Sequence, residues 1–203
     1  MFQCNFQDYK KTLQNYNRQD MKVLAFAATN SKQSINGQLV NYVASQFGEH
    51  QVEIIDLNHY EMPIFSIDRE IENGIPQLAL DFAQKIDESD LLLISFAEHN
   101  GTYTTAFKNI FDWISRIPNR TAFGDKNIFA MATSPGPRGG MGVLEAAVNR
   151  LPFNGGKIVG SYSLPSFGDN FSSEKGVSHP EKNEELQSKI SEIKQIMNEV
   201  VIA

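Results

Sequence analysis

Thr29, Ser31 and Ser34 set three hydroxyls between the apolar run KVLAFAA and a segment with helical spacing. A helix starting near Ser34 leaves its first backbone N–H groups without intrahelical acceptors. Its dipole adds partial positive charge there, so this stretch can hold a phosphate. The hydroxyls and the Asn36 amide add neutral donors, while Ser34 is equally suited to be a plain N-cap. The stretch has neither Gly-x-x-x-x-Gly-Lys-Ser/Thr nor Gly-x-Gly-x-x-Gly, which argues against a magnesium-bound triphosphate and a Rossmann dinucleotide grip. A monophosphate on neutral donors fits better.

Two further stretches invite the same reading. AEHNGTYTTAFKNIFDWISR (97–116) leaves a buried run, turns at Asn100-Gly101, a pair suited to positive φ, and enters a helix. In that helix Phe107, Ile110, Phe111 and Ile114 form one core stripe. Trp113 lies off the stripe with Ala106 and Asn109 and needs a second buried surface. A symmetric dimer partner is one and a loop of its own chain is the other. Lys108, Asp112 and Arg116, four apart, read as a solvated charge ladder. TSPGPRGGMG (133–142) carries Gly136, Gly139 and Gly140, whose bare backbone could approach a flat ligand, with Arg138 as a positive charge. Its plainer reading is a flexible turn.

The elements that must position these loops alternate regularly. Strands are expected at 22–28, 51–57, 90–97, 126–133 and 157–164, and helices at about 34–48, 76–88, 103–117, 141–153 and 181–200. Strand-helix alternation implies right-handed crossovers and a parallel sheet covered on both faces. The class is therefore α/β, a flavodoxin-like doubly wound sheet of five strands, with ligands beyond the strands' carboxyl ends. Residues 1–20 read as a polar extension and 21–203 as the domain. Segment 165–180 is long for a connection and is either a functional flap or an irregular tail.

Composition narrows the partners. A net charge of −6 gives no general attraction for nucleic acid, which needs a basic surface. No run is long enough to span a bilayer. The single cysteine, Cys4, excludes an internal disulfide and fits a reducing cytoplasm. Small-molecule partners are favoured.

Taken together, the three loops resemble the NAD(P)H-dependent FMN reductase family, with its quinone, azo-dye and chromate reductases. Its Gly-Ser-x-Arg/Ser-x-x-Ser-x-Asn element is met by Ala28, Thr29, Ser31, Ser34 and Asn36. Its Pro-x-Tyr-Asn-x-Ser-x-x-x-x-Leu-Lys-Asn-x-x-Asp-Trp element is met by Ala97, His99, Asn100, Thr102, Phe107, Lys108, Asn109, Asp112 and Trp113. Ser134, Gly136, Gly139 and Gly140 meet Ser-x-Gly-x-x-Gly-Gly. Ala28, Ala97 and His99 depart from the family's glycine, proline and tyrosine.

The resemblance implies non-covalent FMN. Its phosphate would lie on Thr29, Ser31, Ser34, Ile35 and Asn36. Its ring would lie between Glu98, His99, Asn100, Gly101, Thr102 and Tyr103 on one side and Ser134, Gly136, Arg138, Gly139 and Gly140 on the other. Backbone N–H groups of the second and third loops would hold the pyrimidine edge. The activity implied is ping-pong hydride transfer from NADPH or NADH through the flavin to quinone, flavin or azo acceptors, with no protein catalytic acid, base or metal. A homodimer or a tetramer of dimers, packed partly through the Trp113 helix, is implied as well. The alternative is a flavodoxin-like one-electron carrier without its own turnover. A phosphate-sensing receiver module would need an acidic cluster that Glu98 alone does not supply.

Overall fold

The computed structural model describes residues 21–200. Five parallel strands, β1 (Lys22–Ala28), β2 (Gln51–Ile54), β3 (Leu91–Phe96), β4 (Asn127–Thr133) and β5 (Lys157–Leu164), form one sheet in the order β2-β1-β3-β4-β5. Helices α1 (Ile35–Ser45), α2 (Ile67–Asn73), α3 (Gln77–Glu88), α4 (Thr105–Ile114) and α5 (Met141–Arg150) lie between the strands. A short α6 (Phe167–Asn170) and a long α7 (Pro180–Val200) follow β5. The expected polar extension and Cys4 lie outside the described residues.

Strand pleating explains the near-continuous apolar runs. Val23 and Ala25 pack with Leu39, Val43, Leu186 and Ile190 under α1 and α7. Their neighbours Leu24 and Phe26 pack with Phe82, Ile86, Phe107 and Leu144 under α3, α4 and α5. Every residue of β3 is buried because both its faces are covered. Cutting Leu92 to alanine in such a strand costs about 2–5 kcal/mol.

Three features depart from the sequence expectation. β2 ends at Ile54, because Asp56 caps a tight turn at Leu57–Tyr60 by accepting the Asn58 N–H at 2.9 Å. α2 was not foreseen, since it buries none of its residues and so has no core stripe to betray it. Segment 165–180 becomes α6 and a small antiparallel hairpin, β6 (Phe171–Ser172) with β7 (Gly176–Val177), seated on Tyr42. It buttresses the third loop: Ser166 N–H donates to the Gly136 carbonyl at 2.9 Å and Phe167 N–H to that of Ser134 at 3.1 Å.

Candidate active site at the carboxyl ends of the strands

The order β2-β1-β3-β4-β5 reverses direction between β1 and β3, and the three loops emerge at that end of the sheet. Side chains tie them together. Asn36 is buried, donates from Nδ2 to the Thr133 carbonyl at 3.1 Å, and accepts from Ser95 Oγ at 2.8 Å and Thr133 N–H at 3.0 Å. Thr104 Oγ donates to the Ala28 carbonyl at 2.9 Å. Glu98 Oε2 accepts the Val143 N–H at 3.1 Å, so a carboxylate caps the positive end of α5.

In the first loop Ser34 Oγ accepts the Gly37 N–H at 3.2 Å and is the N-cap. Its hydroxyl proton remains available to a ligand oxygen. Thr29 is buried and its hydroxyl takes the Ser31 N–H at 3.2 Å. The backbone N–H groups of Ile35 and Asn36 find no acceptor among the described residues, as first-turn geometry dictates. Ser31, Lys32 and Ser34 line a cleft of about 310 Å³, with Asp56 on its far wall. The Asn58 backbone N–H, aided by its side-chain amide, holds the Asp56 carboxyl below its usual value. Orphan amides, a hydroxyl and Lys32 suit a phosphate monoester, so this loop fits the phosphate of FMN.

The second loop turns as the sequence implied. Asn100 and Gly101 have φ of 51° and 79°, and His99 and Thr102 bridge across them through paired backbone hydrogen bonds of 3.0 and 3.2 Å. These four residues are exposed, leaving the turn accessible to a ligand edge. Tyr103 turns away. Its ring joins Phe96, Phe107 and Phe111, its hydroxyl is buried without a partner among the described residues, and burial pushes the phenol up to about 12.

The third loop corrects the reading of its glycines. Gly139 and Gly140 are buried in left-handed conformation, and a Cβ on Gly139 would stand 2.3 Å from Ser163 Oγ. Both glycines let the loop press on the sheet instead of presenting bare backbone to a ligand. Gly136 alone is open, and Ser134 Oγ folds back onto its carbonyl at 3.2 Å. Arg138 is exposed and its side chain forms no ion pair among the described residues. Asn36 is corrected likewise: its amide is spent inside the protein on Thr133 and Ser95, so its side chain positions the loops and only its backbone N–H is left for a ligand.

Trp113 is also corrected. It is 1% exposed, donates its indole N–H to the Pro63 carbonyl at 2.7 Å, and meets Phe65 edge-on at 5.0 Å. The chain's own loop covers it, without a dimer partner. Asn109 accepts the Phe65 N–H at 2.8 Å and donates to the Met62 and Pro63 carbonyls at 3.1 and 3.2 Å. The charge ladder is half right: Lys108 pairs with Asp112 at 2.6 Å, but Arg116 reaches Glu70 at 2.8 Å.

The sequence reading missed segment 57–64. With His99, Asn30 and the N-terminus of α4 it walls a second cleft of about 370 Å³. The signal was the off-stripe pair Asn109 and Trp113, whose polar tips needed a covering segment.

A parallel sheet in this order, with three tied loops beyond its switch point, defines a flavodoxin-like protein. The chain belongs to the NADPH-dependent FMN reductase family, whose sequence model matches residues 21–169. That family is one of oxidoreductases using FMN with a reduced nicotinamide. An NADPH:quinone oxidoreductase of Arabidopsis thaliana is 34% identical over 90 residues, which is 44% of either chain. A 2-hydroxy-1,4-benzoquinone reductase of Burkholderia is 28% identical over 120 residues, covering 59% of this chain and 63% of that one. The matches thus span less than two thirds of either relative. The solved structure of FerB, a flavoenzyme NAD(P)H:(acceptor) oxidoreductase from Paracoccus denitrificans, superposes with a TM-score of 0.67 at 21% identity, over 89% of this chain and 97% of that one. That likeness speaks for the fold.

Proposed function

We propose that this chain is a cytoplasmic NAD(P)H-dependent reductase of small-molecule acceptors, with quinones foremost. In balance, NADPH and a proton reduce a quinone to its quinol and leave NADP⁺. FMN, when bound, supplies the capacity to accept and pass on the electron pair. The chain's own residues bind and orient. Ser34, Lys32 and the Ile35 and Asn36 N–H groups hold the phosphate. The exposed turn His99–Thr102 and the open Gly136 border the ring. Holding donor and acceptor against one surface accounts for much of the acceleration, up to about 7–11 kcal/mol in favourable cases.

The observation that carries this reading is the pair of orphan amides beside Ser34, tied through Asn36 to the third loop. The names of the Arabidopsis and Burkholderia relatives support the quinone class. A homodimer fits Ile64, Ile67 and Ile71, which are 67%, 63% and 78% exposed on and beside α2 and offer an apolar face to a second copy.

The test is Ser34→Ala. FMN affinity, followed by flavin fluorescence, falls more than riboflavin affinity, and stability drops by about 1 kcal/mol for the lost cap. Equal weakening of both flavins removes the phosphate role. A colourless protein that ignores added FMN sinks the whole reading. Direct bleaching by NADPH separates a reductase from a one-electron carrier.

A further inference from the structure

Among the described residues, the cleft between segment 57–64 and the start of α4 carries one carboxylate, Glu61, and no lysine or arginine. Met62, Ile64 and Ile110 make its apolar side, and Asn58 and His99 stand among its polar groups. The Glu61 side chain is exposed and forms no ion pair or hydrogen bond among the described residues, so its charge is not cancelled. The first cleft differs, since Lys32 and a helix N-terminus attract anions there.

The wall that carries Met62 and Ile64 is held by Asn109 and Trp113 from α4. The α4 N-terminus also opens on this cleft and brings about half a positive charge. Thr104 Oγ already takes the Phe107 N–H at 3.2 Å, and the full charge of Glu61 outweighs what remains. A neutral carbonyl can use the helix's free N–H groups without meeting net repulsion. A sulfonate, an oxyanion or a flavin phosphate meets Glu61 in a protein of net charge −6.

We infer that this cleft seats a flat, uncharged carbonyl acceptor of the quinone class, and that Glu61 discriminates against anionic acceptors. The inference rests on the flavoprotein reading above and narrows its acceptors.

Glu61→Gln tests it with 1,4-naphthoquinone and its sulfonate. The ratio of kcat/KM for the sulfonate to that for the neutral quinone rises about three- to tenfold at low salt, as removal of one nearby charge in a wet cleft predicts. The rise shrinks in molar salt. Calorimetric titration of the oxidised, FMN-loaded protein without nicotinamide shows the same gain in sulfonate binding. An unchanged ratio in a variant that still binds FMN overturns the inference and leaves the flavoprotein reading intact. A wild-type chain that does not bind FMN overturns both.

Discussion

Trp113 gives its indole N–H to the carbonyl of Pro63 at 2.7 Å, and that bond fastens α4 to the segment that walls the acceptor cleft. Asn109 repeats the link one turn earlier through both faces of its amide. The helix therefore sets the width of the cleft as well as packing against the sheet.

Trp113→Phe keeps an aromatic body but loses the donor and some volume. The Pro63 carbonyl retains Asn109, so the loss is about 1–3 kcal/mol, or a few degrees in Tm for each kcal/mol in a chain of this size. Light scattering gives the same mass as the wild type, because the ring is sealed by its own chain. A fall to half the mass would return the tryptophan to a subunit interface.

Asn36 ties the start of α1 to β3 and to the start of the third loop with its one amide. Asn36→Asp turns the donor facing the Thr133 carbonyl into an acceptor and brings a charge into a buried site. The cost is about 3–5 kcal/mol at neutral pH, against about 2–4 for Asn36→Ala, which leaves the Thr133 groups unpaired. Urea midpoints measure both. FMN affinity falls in each, since the first and third loops part. An aspartate variant as stable as the wild type would mean that the amide network does not hold these loops.

The contrast between Asn36 and Trp113 explains what the sequence could convey. Asn36 precedes Leu39, Val40 and Val43 at helical spacings of three, four and seven, so its inward face was legible, yet the hydroxyls beside it suggested a ligand. Trp113 was legible as needing cover, but periodicity cannot say which distant loop arrives, and Pro63 lies outside any helical pattern. Gly139 and Gly140 were recognisable as close-approach residues. That they approach Ser163 and Ala132, and not a ligand, depends on the register of β4 and β5. The strands and the parallel, doubly wound class of the sheet followed from alternating apolar runs, whereas α2 has only exposed isoleucines and charges and left no trace.

Tyr103 offers a test in the opposite direction, toward stability. Its ring packs with Phe96, Phe107 and Phe111, its hydroxyl is buried without a hydrogen-bond partner among the described residues, and burial pushes its ionisation from 10.0 up to about 12. A phenol raised in the folded state contributes stability that is intact below the unfolded value near 10 and is lost as pH climbs from 10 through 12. Burial raises Tyr162 as well, so it shares the alkaline limb, and its hydroxyl is satisfied by the Lys182 carbonyl at 3.1 Å. Tyr103→Phe removes the unpaired oxygen and the titration together. At pH 7 the variant is as stable as the wild type or more stable by about 1 kcal/mol. Between pH 10 and 12 its denaturation midpoint falls less steeply, while Tyr162 and Tyr60, raised by burial, and Lys85, raised by its bond to Glu53, carry the remainder. A variant that loses more than about 1 kcal/mol at neutral pH would show that the hydroxyl has a partner after all, and an alkaline limb as steep as the wild type would place the titration elsewhere.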